Sequence, residues 1–501
     1  MFFGDYVYRR ALYTPHAIAY MDASVDPRRK ISFTDANDRA NALASWLQKN
    51  GIEKGHRVAI LAKDSIAHLD CFFACSKLGA IHTAMNWRLH WQEIVEIFQH
   101  VQPSILLYSP DFAGSVEQIR EQFPMQALAI DSADYQQVLE TSATVELCAT
   151  VVEEDIAALI FTGGTTGLPK AAQISHRQIG WNTLNTVIHD LRHGDVYLNV
   201  FPLFHTGGLF VYTVPQVILG GTTIIIPQFD ANQVLRIIEE EKVTIFAGVP
   251  TMYQMMANAS DWAGRDLSSL RFCTSGGAPL PVPLVEKYAS EKGVSFKQGF
   301  GMTEFGPGVF ALPPEDAITK AGSIGRPNFF VDARVVDDNN QFLPANQEGE
   351  LILKGPSFCS GYYQDPEATD KVIDSQGYFH TGDMAKFDDQ GYFYIVDRKK
   401  DMFISGGENV YPAEIEKVLY QHPAVYMCAV IGLPDAKWGE IGKACVVLHP
   451  NTDATETELI AFMQERLAKY KVPKTVAFLS ALPVSGAGKI LKRVLKEQFL
   501  P

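Results

Sequence analysis

IAALIFTGGTTGLPK, from Ile156 to Lys170, carries more of the architecture and chemistry of this chain than any other stretch. The apolar run Ile156 to Phe161 reads as a buried strand. It leads into a loop with three glycines (Gly163, Gly164, Gly167), three threonines (Thr162, Thr165, Thr166) and Lys170. Glycines let backbone N–H groups approach an anion, threonine hydroxyls add donors or a metal contact, and lysine adds a mobile positive charge. The loop suits a polyphosphate. It is not a Walker loop, because Gly167 and Lys170 are not adjacent. The plainer alternative is a polar loop between a strand and a helix, with Ser175 and Gln178 matching a capping box at the helix start.

Outward from that loop, strands and helices alternate. A helix capped by Thr34 has Ala36, Ala40, Leu43, Ala44 and Leu47 on its apolar face and ends at Asn50-Gly51. Val58 to Ala62 reads as a strand, Ile66 to Leu78 as a helix and Ile105 to Tyr108 as a strand. The pattern returns with Thr223–Ile226, Ala231–Glu241, Val243–Ala247 and Leu270–Thr274. The fold class expected is α/β, with largely parallel, doubly wound sheets. Near residue 330 short strands (Ala333–Val336, Glu350–Leu353, Gly391–Val396) and turn-rich sequence imply a smaller β subdomain. The last hundred residues have their own pattern: a helix from Tyr411, strands near Val425–Ile431 and Ala444–Leu448, a helix from Glu456 and a basic terminal helix. The charge run Asp397-Arg398-Lys399-Lys400-Asp401 marks the boundary. The expected domains are 1–397 and a small mobile α+β domain, 398–501.

The chain has 501 residues, enough for two or more cores. Its net charge of −14 argues against a general affinity for nucleic acid or anionic membrane. The N-terminus lacks a signal-peptide core, and no apolar run is long enough to cross a bilayer. The seven cysteines are scattered without a CxxC, which fits a reduced, cytoplasmic location. Cys71 and Cys75, beside Phe72 and Phe73, read as core packing. No metal-ligand cluster of His and Cys is evident.

Four further stretches stand out: QGFGMTE (298–304), YFHTGD (378–383), Asp397-Arg398 with SGGENVYPAEIE (405–416), and PVSGAGK (483–489). Together with TGGTTGLPK, in this order and spacing, they resemble the signature of the adenylate-forming superfamily. That group holds acyl-CoA synthetases, peptide-synthetase adenylation domains and firefly luciferase. KDMFISGGENVYPAEIE is most similar to acyl-CoA synthetases acting on fatty or aryl acids. The resemblance spans nearly the whole chain. Two departures, Gly163 where the family often has serine and Ala171 where it often has glycine, bear on the phosphate contacts.

The resemblance implies a two-step reaction. A carboxylate attacks the α-phosphate of ATP to give acyl-AMP and pyrophosphate; the thiol of coenzyme A then displaces AMP. Thr162, Gly163, Gly164, Thr165, Thr166, Gly167 and Lys170 would surround the phosphates. Glu304, with Thr166, would hold Mg2+; an ordinary helix-start acid is the alternative for Glu304. Gly276, Gly277 and Ala278, with Gln298, Gly299 and Phe300, would form the adenine slot, and Gly301, Met302 and Thr303 continue that nucleotide-binding stretch. Asp383 and Arg398 would bind the ribose. Lys489 would steady the charge that develops in adenylation, and Thr165, Glu304 and His205 complete the implied catalytic set. A hinge at Lys400 would withdraw Lys489 and bring Ser405, Gly406, Gly407 and Glu408 toward the thiol channel. His205, in FPLFHTGG (201–208), would gate the acyl pocket or line the thiol's approach; a packed histidine is an equal alternative.

The acyl site lacks the aspartate that amino-acid adenylation domains carry, and the chain ends twelve residues after Lys489 without a carrier domain. Gly207 and Gly208 suggest an open pocket floor, and Phe210, Val211, Val249 and Met302 could supply apolar walls. The expected partners are a medium- or long-chain fatty or aryl acid, ATP and coenzyme A, with a homodimer held open. The alternatives are an enzyme loading an acid onto a separate carrier protein, a luciferase-like oxidase, and a catalytically silent nucleotide-binding protein.

Overall fold

The computed structural model describes residues 4–140, 151–162, 169–277, 280–398, 401–405, 408–435, 438–467, 469–485 and 490–500. The chain packs as two units, Met1–Asp332 with Lys354–Ile373, and Ala333–Leu353 with Asp374–Pro501. This division is one of packing and is distinct from a hinge near Lys400, which lies outside the described residues.

The first unit is α/β. Among its described residues, one sheet runs Gln126–Ala129, Ile105–Tyr108, Arg57–Leu61, Ile81–Ala84, Ile156–Thr162 and Lys170–Ser175. The pairs are parallel except the last, which is antiparallel. The second sheet has a parallel centre, from Phe296–Met302 through Phe272–Ser275, Ile245–Gly248, Val196–Asn199 and Thr222–Ile225 to Ile18–Asp22. Antiparallel strands close both of its edges. Helix Ile66–Leu78 is buried at every residue, and its two charges are paired there, Asp70 with Arg39 and Lys77 with Asp5. Leu69, Phe72 and Phe73 join a core that draws on both sheets, while Cys71, Ala74 and Cys75 pack with Val58 and Ile60 of the first.

The second unit is α+β. Asp332–Val336, Gly349–Lys354, Phe379–Phe387 and Phe393–Arg398 form one sheet. Glu408–Val410, Phe403–Ser405, Gly439–Leu448, Val425–Asp435 and Thr475–Phe478 form another, with helices Pro412–Leu419 and Glu456–Gln464 in its core. Tyr411 is the N-cap of the former, with Pro412 at the first helical position, where its missing N–H costs nothing.

Three sequence expectations need correction. The helix Phe33–Lys49 is capped by Ser32 rather than Thr34: Ser32 Oγ accepts from Asp35 N and the Asp35 side chain accepts from Ser32 N. Thr34 instead donates its hydroxyl to Pro15 O. The loop after Thr162 does not lead into a helix, because strand Lys170–Ser175 intervenes and makes the segment a β-hairpin. The helix follows at His176–Ile188, and Ser175 does cap it by accepting from Gln178 N. Finally, the fold assembles a His/Cys group that spacing did not reveal: Cys71, Cys75 and His82 converge in the core.

Candidate active site

The hairpin Ile156–Thr162/Lys170–Ser175 pairs Thr162 with Lys170, so residues 163–169 lie between its strands in sequence. Gly163, Gly164, Thr165, Thr166 and Gly167 lie outside the described residues, as do Ala278, Lys400, Gly406, Gly407 and Lys489. Thr162 Oγ1 donates to Lys170 O at 3.4 Å, closing the mouth of the hairpin. Lys170 Nζ stands 4.7 Å from the centroid of the Tyr362 ring, a cation–π contact. The Tyr362 hydroxyl donates to Glu304 Oε1 at 2.9 Å. Tyr362 therefore links two predicted site residues, and the sequence reading missed it.

Backbone pairing fixes that link. Segment 360–363 runs along strand Lys170–Ser175: Ser360 N donates to Gln173 O, Gln173 N to Gly361 O, and Tyr363 N to Ala171 O. Burial, then the Glu304 carboxylate, pushes the Tyr362 phenol well above its ordinary pKa, so it stays a proton donor. Glu304 does not start a helix. It sits in the turn between antiparallel strands Phe296–Met302 and Gly306–Leu312, and its carbonyl accepts from Cys359 N at 2.7 Å.

The predicted adenine residues gather at the carboxyl ends of parallel strands, where open α/β sheets bind ligands. Ser275, with Gly276 and Gly277 after it, ends Phe272–Ser275 and pairs with Gln298. Gln298 is anchored at both ends: Oε1 accepts from Leu280 N and Nε2 donates to Ser323 O. Gly277 has φ +81°, a left-handed conformation that favours glycine. At Gly301 an added Cβ would lie 2.1 Å from Pro307 O, so the hairpin closes only over glycine. Phe300 pairs with Phe310 and meets that ring edge-on at 5.7 Å. Met302 pairs with Gly306, and Thr303 O accepts from Gln178 Nε2 at 3.1 Å.

In the second unit, Asp383 on Phe379–Phe387 is directly opposite Arg398 on Phe393–Arg398. Asp383 is buried, and its N–H donates to Thr381 Oγ1. Gly382 before it has φ +70° and donates its N–H to Glu350 Oε1. Arg398 and Glu408 are placed by their backbones; Glu408 pairs with Ser405, which is buried and also opposite Gly439.

His205 is the N-cap of the short turn Thr206–Gly208, where its Nδ1 accepts from Gly207 N at 3.2 Å. Asp64 Oδ1 accepts from Leu203 N at 2.9 Å and holds this segment from beneath. Burial raises the Asp64 carboxyl to about 7, against the opposing pull of the Leu203 N–H and the Arg88 charge. Gly208 is not an open floor: a Cβ there would be 2.2 Å from Pro202 O, so the glycine permits tight packing.

A small recess, with room for about one water-sized group, lies nearby, lined by Ile174, Gln178, Ile179, Asn182, Thr206, Phe210, Gly306 and Pro307. Phe210, one of the expected acyl-pocket walls, is part of this lining. Asn182 braces it by donating to Phe210 O and accepting from Gly308 N. Gln178 Oε1 is buried without a hydrogen-bond partner among the described residues. Helical spacing places Gln178 and Asn182 on one face, but nothing in the sequence marks that face as a pocket wall.

Two family descriptions match the chain: AMP-binding enzyme over residues 7–363, and AMP-binding enzyme C-terminal domain over residues 414–489. A feruloyl-CoA synthase of Amycolatopsis is 40% identical over 499 residues, covering 99% of each chain. The long-chain-fatty-acid–CoA ligase FadD13 of Mycobacterium tuberculosis is 38% identical, covering 98% of this chain and 97% of that one. The solved structure of a Mycobacterium tuberculosis fatty acyl CoA synthetase superposes with a TM-score of 0.81 at 36% identity, covering 99% of both chains. Glu304, Lys170 and Asp383 thus stand in a chain that matches such enzymes end to end, and the chain belongs to the AMP-binding enzyme family as an ATP-dependent, AMP-forming carboxylic acid–CoA ligase.

Proposed function

We propose that the acid is an aryl acid bearing a ring hydroxyl, seated between helix His176–Ile188 and strand Gly306–Leu312. The observation that carries this reading is the recess lined by Gln178, Asn182 and Thr206, in which Gln178 Oε1 is an acceptor without a donor. A buried acceptor left unpaired is costly, so it favours a ligand that brings a hydroxyl. The recess has room for about one water-sized group, so it would receive the ring hydroxyl and not the whole acid. The 40% identity with a feruloyl-CoA synthase supports the same class.

Glu304 and Thr166 would hold Mg2+ on the nucleotide. Glu304 fits as a hard oxygen donor, its carboxylate fixed through one oxygen by Tyr362. When bound, the ion screens phosphate charge against the incoming carboxylate. Lys170 and the threonines of its loop bind the phosphates. Gly276, Gly277, Ala278 and residues 298–303 receive the adenine, and Asp383 and Arg398 hold the ribose. Lys489 supplies the cation for adenylation, with His205 beside the acyl group. Residues 405–408 line the thiol route, and a hinge at Lys400 divides functional domains 1–397 and 398–501. A cytoplasmic setting fits the scattered cysteines, and among the described residues no helix is long and apolar enough to cross a membrane.

The test is an acid panel of 4-hydroxycinnamate, cinnamate, benzoates and saturated fatty acids, followed by pyrophosphate release with and without coenzyme A. Hydroxycinnamate should give the highest kcat/KM. Gln178→Leu should lower that value about tenfold, the worth of one hydrogen bond, while sparing cinnamate. Faster turnover of long-chain acids would refute the aryl reading, and pyrophosphate release independent of added coenzyme A would favour a carrier protein as the acceptor.

A further inference from the structure

Cys71 and Cys75 are one turn apart on helix Ile66–Leu78, so both thiols leave the same face. His82 stands on the next strand, Ile81–Ala84, near the middle of the first sheet. The two sulfurs and a ring nitrogen of His82 lie within 4.8 Å of one another. All three residues are fully buried. Neither ring nitrogen of His82 has an oxygen or nitrogen partner. The edge-on Phe72 ring, 5.6 Å away at 89°, packs against the imidazole. A buried polar side chain is normally satisfied by hydrogen bonds. Here an imidazole without such a partner stands beside two thiols, and sulfur is a weak hydrogen-bonding element but a strong metal ligand.

We propose that Cys71, Cys75 and His82 form a structural site for a thiophilic divalent cation, with Zn2+ as the ion that fits. Two sulfurs and one imidazole are a zinc donor set. Zinc bond lengths of about 2.3 Å to sulfur and about 2.0 Å to nitrogen put tetrahedral donors roughly 3.5–3.8 Å apart. The observed grouping needs only small side-chain rotations to reach that spacing. Charge also balances: two thiol protons leave to solvent as two Zn–S bonds form, and the dication with two thiolates and a neutral imidazole is uncharged. A net-neutral group avoids the large penalty of an uncompensated charge in a dry core. The three residues supply three of the four tetrahedral positions. The site would tie helix Ile66–Leu78 to the sheet beneath it. It takes no part in the ligase reaction.

The full chain, carrying no polyhistidine tag, is expressed with added zinc, washed with EDTA and analysed for metal. The expected result is about one zinc per chain for the wild type and under about 0.2 for Cys71→Ala and His82→Phe, as removal of a ligand dictates. Wild-type protein grown on cobalt should show thiolate-to-cobalt charge-transfer absorption and the visible bands of a tetrahedral ion. That measurement stands even if the variants misfold. Wild-type protein with under about 0.1 zinc, or a cobalt preparation without charge transfer, would overturn the proposal. Variants that retain the wild-type metal content would overturn the ligand assignment.

Discussion

Three antiparallel strand pairs present charged residues of the proposed nucleotide site, and the two units join these residues by different means. In the second unit Asp383 and Arg398 face each other across one hairpin, so register alone brings them together. In the first unit Lys170 and Glu304 are 134 residues apart in sequence and connect through the ring and hydroxyl of Tyr362, supplied by a third segment. A local pair forms whenever its hairpin forms. A relay through a third segment also requires segment 360–363 to dock on strand Lys170–Ser175. The first arrangement is robust to distant change; the second makes the phosphate side sensitive to packing remote from the phosphates.

The largest effect should come from the second unit. Lys489→Ala should slow acyl-AMP formation by roughly 10²–10³-fold, the usual loss of a transition-state charge partner, and leave thioester formation from supplied acyl-AMP intact. Equal loss in both half-reactions would break the division of labour. Asp383→Ala comes next: kcat/KM for ATP should fall by about 1–3 kcal/mol, because ribose hydroxyls lose a buried acceptor. Tyr362→Phe should cost less, about 0.5–1.5 kcal/mol in the same parameter, since one hydrogen bond to Glu304 is lost while the ring under Lys170 remains. A Tyr362→Phe loss as large as that of Asp383→Ala would show the relay to be the tighter of the two arrangements.

The remaining effect falls on stability and probes the loop that carries His205. The Asp64 carboxyl has its folded pKa raised to about 7 from 3.8. The folded state therefore holds that proton more tightly than the unfolded chain does. The stability this contributes is full below about pH 4 and is lost as pH rises through about 7. Asp64→Asn should match the wild type near pH 4 and exceed it at pH 8 by up to a few kcal/mol, at roughly 1.4 kcal/mol per pH unit. Thermal melts across pH read this directly, and parallel curves for the two proteins would refute it.

Much of the scaffold was legible because its signals are local. Ile66–Leu78 and Ile105–Tyr108 coincide with the expected elements, since apolar runs and flanking turn residues set them. The cap is Ser32 and not Thr34 because, although both are good caps, the choice depends on Asp35 reaching back. Strand Lys170–Ser175 was missed because KAAQIS has weak alternation and owes its conformation to pairing with Ile156–Thr162. The motifs name Asp383 and Arg398, and strand register makes them cross-strand partners. Tyr362 was not legible, because its importance comes from a docked segment 58 residues from Glu304. His82 escaped notice for the same reason: only the packing of helix on sheet brings it to Cys71 and Cys75.

The tight closure over Gly301 limits redesign. A library that randomises position 301 would return glycine, because any larger substituent collides with Pro307 O, and Gly208 is confined in the same way by Pro202 O. On the helix proposed to seat the acid, Gln178 is the position to vary, because the Asn182 side chain holds Phe210 O and Gly308 N.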